Sequence, residues 1–564
     1  MFLQFVHEQP CKTGFSELIS EPKECNGALR YHDGTNPITI LNETLGSAAP
    51  NQLLQEGACR SDPSTDQGGD KTNLCNAGVT YLRQEGAWTL PPQPVCNELL
   101  RLFFQSEYLC VPVFDRVKFV TEYLQQTVSM FLLQAVLASA VSYASVELLN
   151  AAGFQDHSSA QETFFTRAKL LYDFDVEKSQ LRLLQGSLIL STTHVSHYMS
   201  RDYRFWISNA VCIATKMGLH RRSVRQRLHT SAGKLLRRIW WTLYTWDAVM
   251  ALNGMDTIRR FYDTDHDASH LTEADWEEEI IPSNFQDLLH PFTSLEKSYM
   301  IESSRLSLII VQFWQKFATT PLETCCNELE VAIQDWRESL PHLRIVNTLE
   351  RTSITSWHLI LLARSYICES IMYRMIKRSP SADKPLIQRA TQMIENVMFD
   401  LDKTLEKIMS RDNGQFNSWL IPTFVSTAFA LHVERVLDPT TSDFNKILAT
   451  LHIQAKLEFL REMSKTWSYI GALVKIFEDA IRSANISVPL PKPQQEHGIV
   501  HISQGSPDAL LPPNKQPDLG SYSWFLGLAN SDMSFDFPIG SLDTTSMLDE
   551  FFSDNSHNWN SSQI

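Results

Sequence analysis

The run Lys234–Gly254, KLLRRIWWTLYTWDAVMALNG, limits what this chain can become more than any other stretch. Leu236, Ile239, Trp240, Leu243, Trp246 and Met250 recur at helical spacing and form one apolar stripe. Thr230 and Ser231 precede the run as cap residues, and Gly254 follows it as a stop. The rings of Trp240, Trp241, Tyr244 and Trp246 are too much aromatic surface for one solvated face. The spacing therefore predicts a helix buried on most sides at the centre of a large helical body. Arg237, Arg238 and Asp247 interrupt the apolar pattern. Charges in such a segment need partners or exposed positions, so these three are read as structural ion-pair members rather than ligand contacts.

The 564 residues allow two to four average domains, or one large domain with tails. With 43% hydrophobic and 20% charged residues, a substantial core is available. A net charge of −15 argues against a surface that grips nucleic acid over its whole extent, though a small basic patch is compatible with it. The ten cysteines follow no short regular framework, which fits reduced thiols inside a cell. Met1–Val6 is followed at once by His7 and Glu8, so no signal peptide is evident. Thr127–Val146 carries no formal charge and is long enough to span a bilayer, but Gln134, Ser139, Ser142 and Ser145 dot it and no basic flank anchors it. It is read as a buried helix, and no membrane partner is expected.

Residues 1–88 are read as a poorly ordered segment, because Cys59–Asn76 is rich in Asp, Ser, Gly and Gln and lacks apolar periodicity. Folded structure is expected after Leu90-Pro91-Pro92. Helical patterns cover Val95–Cys110 and Arg116–Gln126, separated by the break Val111-Pro112-Val113-Phe114-Asp115. They continue over Ala160–Phe174, Ser179–His194, Asp202–Leu219, Tyr299–Phe317, Thr324–Leu340, Ser356–Lys377, Leu386–Met409, Trp419–Leu437 and Phe444–Asn485. Gly218 is expected to stop the Asp202–Leu219 helix near Met217, and Phe261–Glu279 reads as an acidic loop. No sustained alternation of period two appears, so the fold class is all-α, with one large domain over 89–488.

Prolines mark a linker over 489–520. In the tail, 521–564, Trp524, Phe525, Phe535, Phe537, Leu548, Phe551 and Phe552 alternate with Asp532, Asp536, Asp543, Asp549 and Glu550. Interleaved carboxylates keep bulky apolar groups from collapsing on one another and leave them available to a partner's hydrophobic groove. These seven residues are the expected contacts to a coactivator.

Reaction chemistry is thin. No G-x-S-x-G elbow, P-loop, dinucleotide fingerprint or HExxH occurs, and no cofactor or catalytic residue is assigned. His194 and His197 have metal-compatible spacing but no third ligand nearby. Asp263, Asp265 and Asp267 begin like a calcium loop, which then places Ala268 and Ala274 where Gly and Glu are needed. The basic run His220, Arg221, Arg222, Arg225, Arg227 suits a nuclear-import patch, a phosphate contact or a solvated loop equally.

Several stretches in order resemble the regulatory middle domain of fungal transcription factors. Leu90-Pro91-Pro92, Leu99 to Phe104 and Val111 to Arg116 resemble its opening, and Arg167 to Asp173 and Leu183 to Leu190 fit the next segments. Trp206-Ile207 through Ala214 leads to Gly218-Leu219-His220-Arg221, and Arg237-Arg238-Ile239-Trp240-Trp241-Thr242-Leu243-Tyr244 with Asp247 matches the best-known motif. Leu271-Thr272-Glu273-Ala274-Asp275-Trp276 looks like the cutinase-transcription-factor branch. The resemblance covers about residues 88–490. It implies a helical, non-enzymatic regulatory domain in a nuclear transcription regulator, partnered by the transcription machinery and by homo- or heterodimerisation with relatives. In place of the family's usual Gly-Arg-Pro after the tryptophan helix stands Gly254-Met255-Asp256, so no ligand role is carried over to that turn. Members also usually begin with six closely spaced cysteines that share two zinc ions; Cys11, Cys25, Cys59 and Cys75 each lie more than ten residues apart, so no zinc is assigned. The resemblance leaves three readings of direct DNA contact open: a lost module, one missing from this sequence, or action through a DNA-bound partner.

Overall fold

The computed structural model of the chain describes residues 28–31, 53–56, 76–193, 201–221, 230–253, 259–261, 269–276, 280–340, 356–411, 420–465 and 467–487. Side-chain capping sets many of the helix starts within them. Asp115, Ser129, Ser145, Asp156, Ser179, Asp202 and Ser442 each accept a backbone N–H of the first turn that the helix itself cannot satisfy. In chain order, α1 is Asn76–Gln84, α2 Gln93–Leu102, α3 Arg116–Leu124, α4 Met130–Ala140, α5 Val146–Ala151, α6 His157–Asp173, α7 Gln180–Ser191 and α8 Tyr203–Lys216. The tryptophan helix α9 is Thr230–Leu252, followed by α10 Ser294–Thr319, α11 Leu322–Ser339, α12 Ser356–Arg378, α13 Lys384–Arg411, α14 Leu420–Leu437, α15 Asp443–Ser464 and α16 Ser468–Ser483. The fold is all-α; the one strand pair among the described residues is β1, Ala28–Tyr31, antiparallel to β2, Leu53–Glu56.

α4 is the apolar stretch that could have been taken for a membrane span. It has eleven residues and packs against α2, α6 and α7, with every position after Met130 buried. Its contact with α7 is close because Gly186 has no side chain: a Cβ there would come within 2.3 Å of the Phe131 ring. α14 is the one described helix long and apolar enough to cross a membrane, and it is largely covered by α12, α13 and α15. α9 packs against α8, α10 and α12, which places it between the N-terminal and C-terminal helices. α12 and α13 form the most extensive helix pair.

Gly218 ends the region of α8 as its sequence predicts. It adopts φ +76°, its N–H bonds the Thr215 carbonyl and the Leu219 N–H reaches the Ala214 carbonyl, a Schellman ending. Of residues 1–88, the described ones include β1, β2 and α1; Leu82 and Ala87 are buried, and Gln134 of α4 donates to the carbonyls of Ala87 and Thr89. Three expectations need correction. Val95–Cys110 is not one regular helix. After Leu102 it loosens into a π turn, Phe103–Glu107, where the Tyr108 N–H reaches back five residues to the Phe103 carbonyl. Phe444–Asn485 is two helices, because Trp467 takes extended backbone (φ −119°, ψ 105°) to bury its ring. Thr230 and Ser231 lie within the first turn of α9 rather than before it. Residues 488–564, which hold the linker and the tail, lie outside the described residues.

Candidate functional site

The charged residues of α9 join three segments far apart in sequence. Arg237 forms an ion pair with the Asp275 carboxylate. The other carboxylate oxygen of Asp275 accepts the Thr272 N–H at 2.8 Å, which closes the short turn of the Leu271–Trp276 motif. Arg238 donates to the Asp275 carbonyl (2.8 Å) and to the Phe114 carbonyl (3.4 Å), and its guanidinium lies 6.0 Å from the centre of the Trp276 ring. One arginine thus ties the Val111–Asp115 break to the Leu271–Trp276 turn. Trp241 donates from Nε1 to the Ser269 carbonyl (2.8 Å) and stacks on His270. Trp240, fully buried, meets Phe261 edge-on at 4.6 Å, and Tyr244 stacks on the same ring.

Asp247 holds the returning chain. Its oxygens accept the Arg260 N–H at 3.0 and 3.1 Å and the Phe261 N–H at 3.3 Å; the Arg260 guanidinium lies 3.3 Å away and that of Arg259 3.8 Å away. Burial still raises its carboxyl above the ordinary range, against the opposing pull of those donors. Arg260 also donates to Ser208 of α8 at 3.0 Å. Within the N-terminal helices, Asn209 bridges Tyr172 and Ser187, and Trp206 packs edge-on against Tyr172 and Phe165. His220 and Arg221 follow Gly218 and Leu219 in partly buried positions, the His220 ring 6.2 Å from Trp240. The site is a clamp of backbone carbonyls, ion pairs and rings that fixes a loop on α9. Among the described residues it brings no nucleophile and base together.

A second charged centre was not legible in the sequence. Asp402 of α13 accepts from His432 Nε2 of α14 at 3.0 Å and from the Lys456 ammonium of α15 at 2.6 Å, while His452 Nε2 lies 3.5 Å from its other oxygen. The donor atoms of Asp402, His432 and His452 lie close enough together to hold a metal ion. The ammonium, however, already takes the cation's place against the carboxylate. His432 Nδ1 is also buried without a hydrogen-bond partner, whereas a metal-binding histidine normally anchors its second nitrogen. The cluster reads as an ion-pair lock between three helices. Its contacts hold Asp402 down at about 2, against the desolvation that opposes them, and burial depresses His432 to about 4.

His194, His197, Arg222, Arg225, Arg227, Asp263, Asp265, Asp267, Gly254, the N-terminal cysteines Cys11, Cys25, Cys59 and Cys75, and the tail residues Trp524, Phe525, Phe535, Phe537, Leu548, Phe551 and Phe552 lie outside the described residues.

Residues 100–338 match the fungal specific transcription factor domain. Over 390 residues the chain is 29% identical to the fusaric acid cluster transcription factor FUB12 of Fusarium oxysporum f. sp. lycopersici, covering 68% of this chain and 58% of that protein. It is 30% identical over 215 residues to cutinase transcription factor 1 beta of Fusarium vanettenii, covering 37% of this chain and 24% of that protein. It is 23% identical over 415 residues to the acetamidase regulatory protein of Aspergillus fumigatus, covering 70% and 50% respectively. The chain therefore spans less than two thirds of the length of these relatives. The matched region contains α9, its clamp and the Leu271–Trp276 turn, so the similarity to proteins that carry the fungal specific transcription factor domain falls on the part of the chain that holds the site.

Proposed function

We propose that the chain is a nuclear, non-enzymatic regulator of transcription for a fungal metabolic or secondary-metabolite gene set. The observation that carries this reading is the agreement between the matched family domain and the α9 clamp. The motif's charged and aromatic residues are spent on internal carbonyls, ion pairs and rings, which suits a rigid regulatory body better than a reaction centre. The relatives are named as regulators of the fusaric acid cluster, cutinase and acetamidase, which supports a metabolic gene set. In this reading the tail, 521–564, recruits a coactivator through Trp524, Phe525, Phe535, Phe537, Leu548, Phe551 and Phe552. Deleting 521–564 from a chain tethered to a heterologous DNA-binding module should abolish most reporter output; unchanged output would end the tail assignment.

The net charge of −15 favours a second reading, a scaffold or repressor that pairs with DNA-binding relatives without touching DNA itself. A gel-shift titration across salt concentrations separates the two: the scaffold shows no salt-sensitive binding to any DNA, whereas a direct DNA reader weakens steeply as salt rises.

A further inference from the structure

α15 is apolar on two sides. Ala449, Ile453, Leu457 and Leu460 turn inward and are buried. Phe444, Ile447 and Leu451 lie roughly 160° away around the axis, at 74%, 63% and 57% exposure. Single exposed apolar residues are ordinary, but these three recur at i, i+3 and i+7, the spacing of a helix-packing seam.

A fourth side chain widens this face. Asn445 and Lys456 of α15 reach Glu395 (3.5 Å) and Asp402 (2.6 Å) of α13, so the two helices run side by side in the same direction. Phe399 lies between Glu395 and Asp402 in sequence and within roughly 60° of both around the axis, which puts it on the edge of α13 nearest α15. It is 66% exposed. Together the four side chains leave an apolar patch on the order of 400 Å², large for a monomer surface and about half of what one partner brings to a standard interface.

The charges around the patch are balanced. Asp400 and Lys403 flank Phe399, and Asp443 and Lys446 flank Phe444 and Ile447. Glu458, beyond Leu451, is paired with Arg461 at 3.2 Å, and Glu395 with Arg435 at 3.1 Å. Such a rim has no field that would select a strongly acidic or basic partner. It does suit a second copy: two chains of net charge −15 repel one another over most approaches, and a locally neutral apolar face is where that repulsion is least. The spacing is self-complementary as well. With two α15 helices antiparallel about a two-fold axis between Ile447 and Leu448, Phe444 of each copy meets Leu451 of the other, and the two Phe399 rings close the sides.

We propose that the outer face of α15, together with Phe399 of α13, is where two copies of this chain pair as a weak two-fold dimer. This goes beyond the regulatory reading and does not depend on it, because self-association is measured without reference to transcription.

The test is sedimentation equilibrium of the whole chain from about 1 to 100 μM, where the average mass should climb from one copy towards two with a dissociation constant on the order of 10 μM, as befits a small interface. Raising salt from about 0.05 to 0.5 M should leave that constant unchanged or tighten it, because an apolar contact persists while the repulsion between like-charged chains is screened. Phe444→Ser with Ile447→Ser should weaken pairing at least about tenfold, and Phe399→Ser should weaken it several-fold. These side chains are mostly in solvent, so the monomer should keep its fold. Val331→Ser on α11, at a site 59% exposed, should change nothing. A chain that stays monomeric throughout, pairing that weakens with salt, pairing that survives the double exchange, or pairing that Val331→Ser weakens as much would each overturn the proposal.

Discussion

Asp247 on α9 and Asp402 on α13 are two almost sealed carboxylates that the fold treats in opposite ways. Asp247 is raised above the ordinary range; Asp402 is lowered to about 2. Both have two or more cationic or polar neighbours, so counting partners does not separate them. Distance and solvation of the partners do. The arginines beside Asp247 stand 3.3 and 3.8 Å away and keep 15–17% of their side chains in solvent, whereas Lys456 is nearly sealed with Asp402 at 2.6 Å. Water shared with a partner weakens the attraction, whereas the buried His432 hydrogen bond and charge, with the desolvated Lys456 ammonium in direct contact, together overcome the desolvation that opposes the Asp402 carboxylate. A family motif and an unremarked helix junction therefore do different jobs. Asp247 mainly collects backbone N–H groups to hold a loop, and Asp402 holds three helices by charge.

The sharpest way to break this contrast is to remove the carboxylate charge at each place. Asp402→Asn leaves the Lys456 ammonium buried without its counter-ion and should cost about 3–5 kcal/mol in urea denaturation at neutral pH. The paired replacement Asp402→Leu with Lys456→Met should recover most of that loss, since apolar side chains of similar volume substitute well for a buried ion pair. If the single and double variants are equally unstable, the ammonium is not the dominant partner.

Next in size is a pH effect. The folded value of His432 near 4 lies below its ordinary 6.5, so the stability it contributes is present above about pH 6.5 and is lost as pH falls towards 4. His452 is depressed in the same direction, again chiefly by burial. Asp402 adds a separate loss only between about pH 4 and 2. Melting temperatures of the wild type should therefore drop between pH 7 and pH 5, and His432→Gln should flatten that drop while lowering the value at pH 7. An unchanged slope in the variant would remove the histidine from the account.

At Asp247 the sign is reversed. Its raised folded value means that its net contribution is greatest below the unfolded value and lost as pH rises through the folded one, because burial outweighs the donors that favour the ionised form. Asp247→Asn, which retains one backbone acceptor, should cost only about 1 kcal/mol, far less than Asp402→Asn. A loss as large as at Asp402 would erase the difference between the two sites. Smallest of all, Phe444→Ser and Ile447→Ser on the outer face of α15, at 74% and 63% exposure, should fall within about 0.5 kcal/mol by the same denaturation measurement.

These sites differ as much in legibility as in energetics. Periodicity and stop residues located α8 and its Gly218 ending, the break at Val111–Asp115, and α9 itself, because those signals are local. Arg237, Arg238 and Asp247 announced themselves as charges in a greasy helix that needed partners. Which partners they take, Asp275, Phe114 and Arg260, depends on how a later loop folds back, and spacing carries no trace of that. Asp402, His432, His452 and Lys456 sit on three helices, each at an unexceptional position in its own pattern. The π turn Phe103–Glu107 was hidden differently: the helix-like spacing is real up to Leu102, and the change to a wider turn follows from packing of Phe103 and Phe104 against Tyr108 and Phe114 rather than from a breaker residue.

That wider turn has an evolutionary corollary. A π turn is one residue longer than the α turn it replaces, so deleting one residue between Phe103 and Glu107 would restore ordinary winding, reorient the side chains within the turn and leave the register beyond it unchanged. A lineage can thus gain or lose this wider turn with a three-nucleotide change, and chain length at that one spot is where divergence in the packing around Phe103 and Phe104 among relatives should first be looked for.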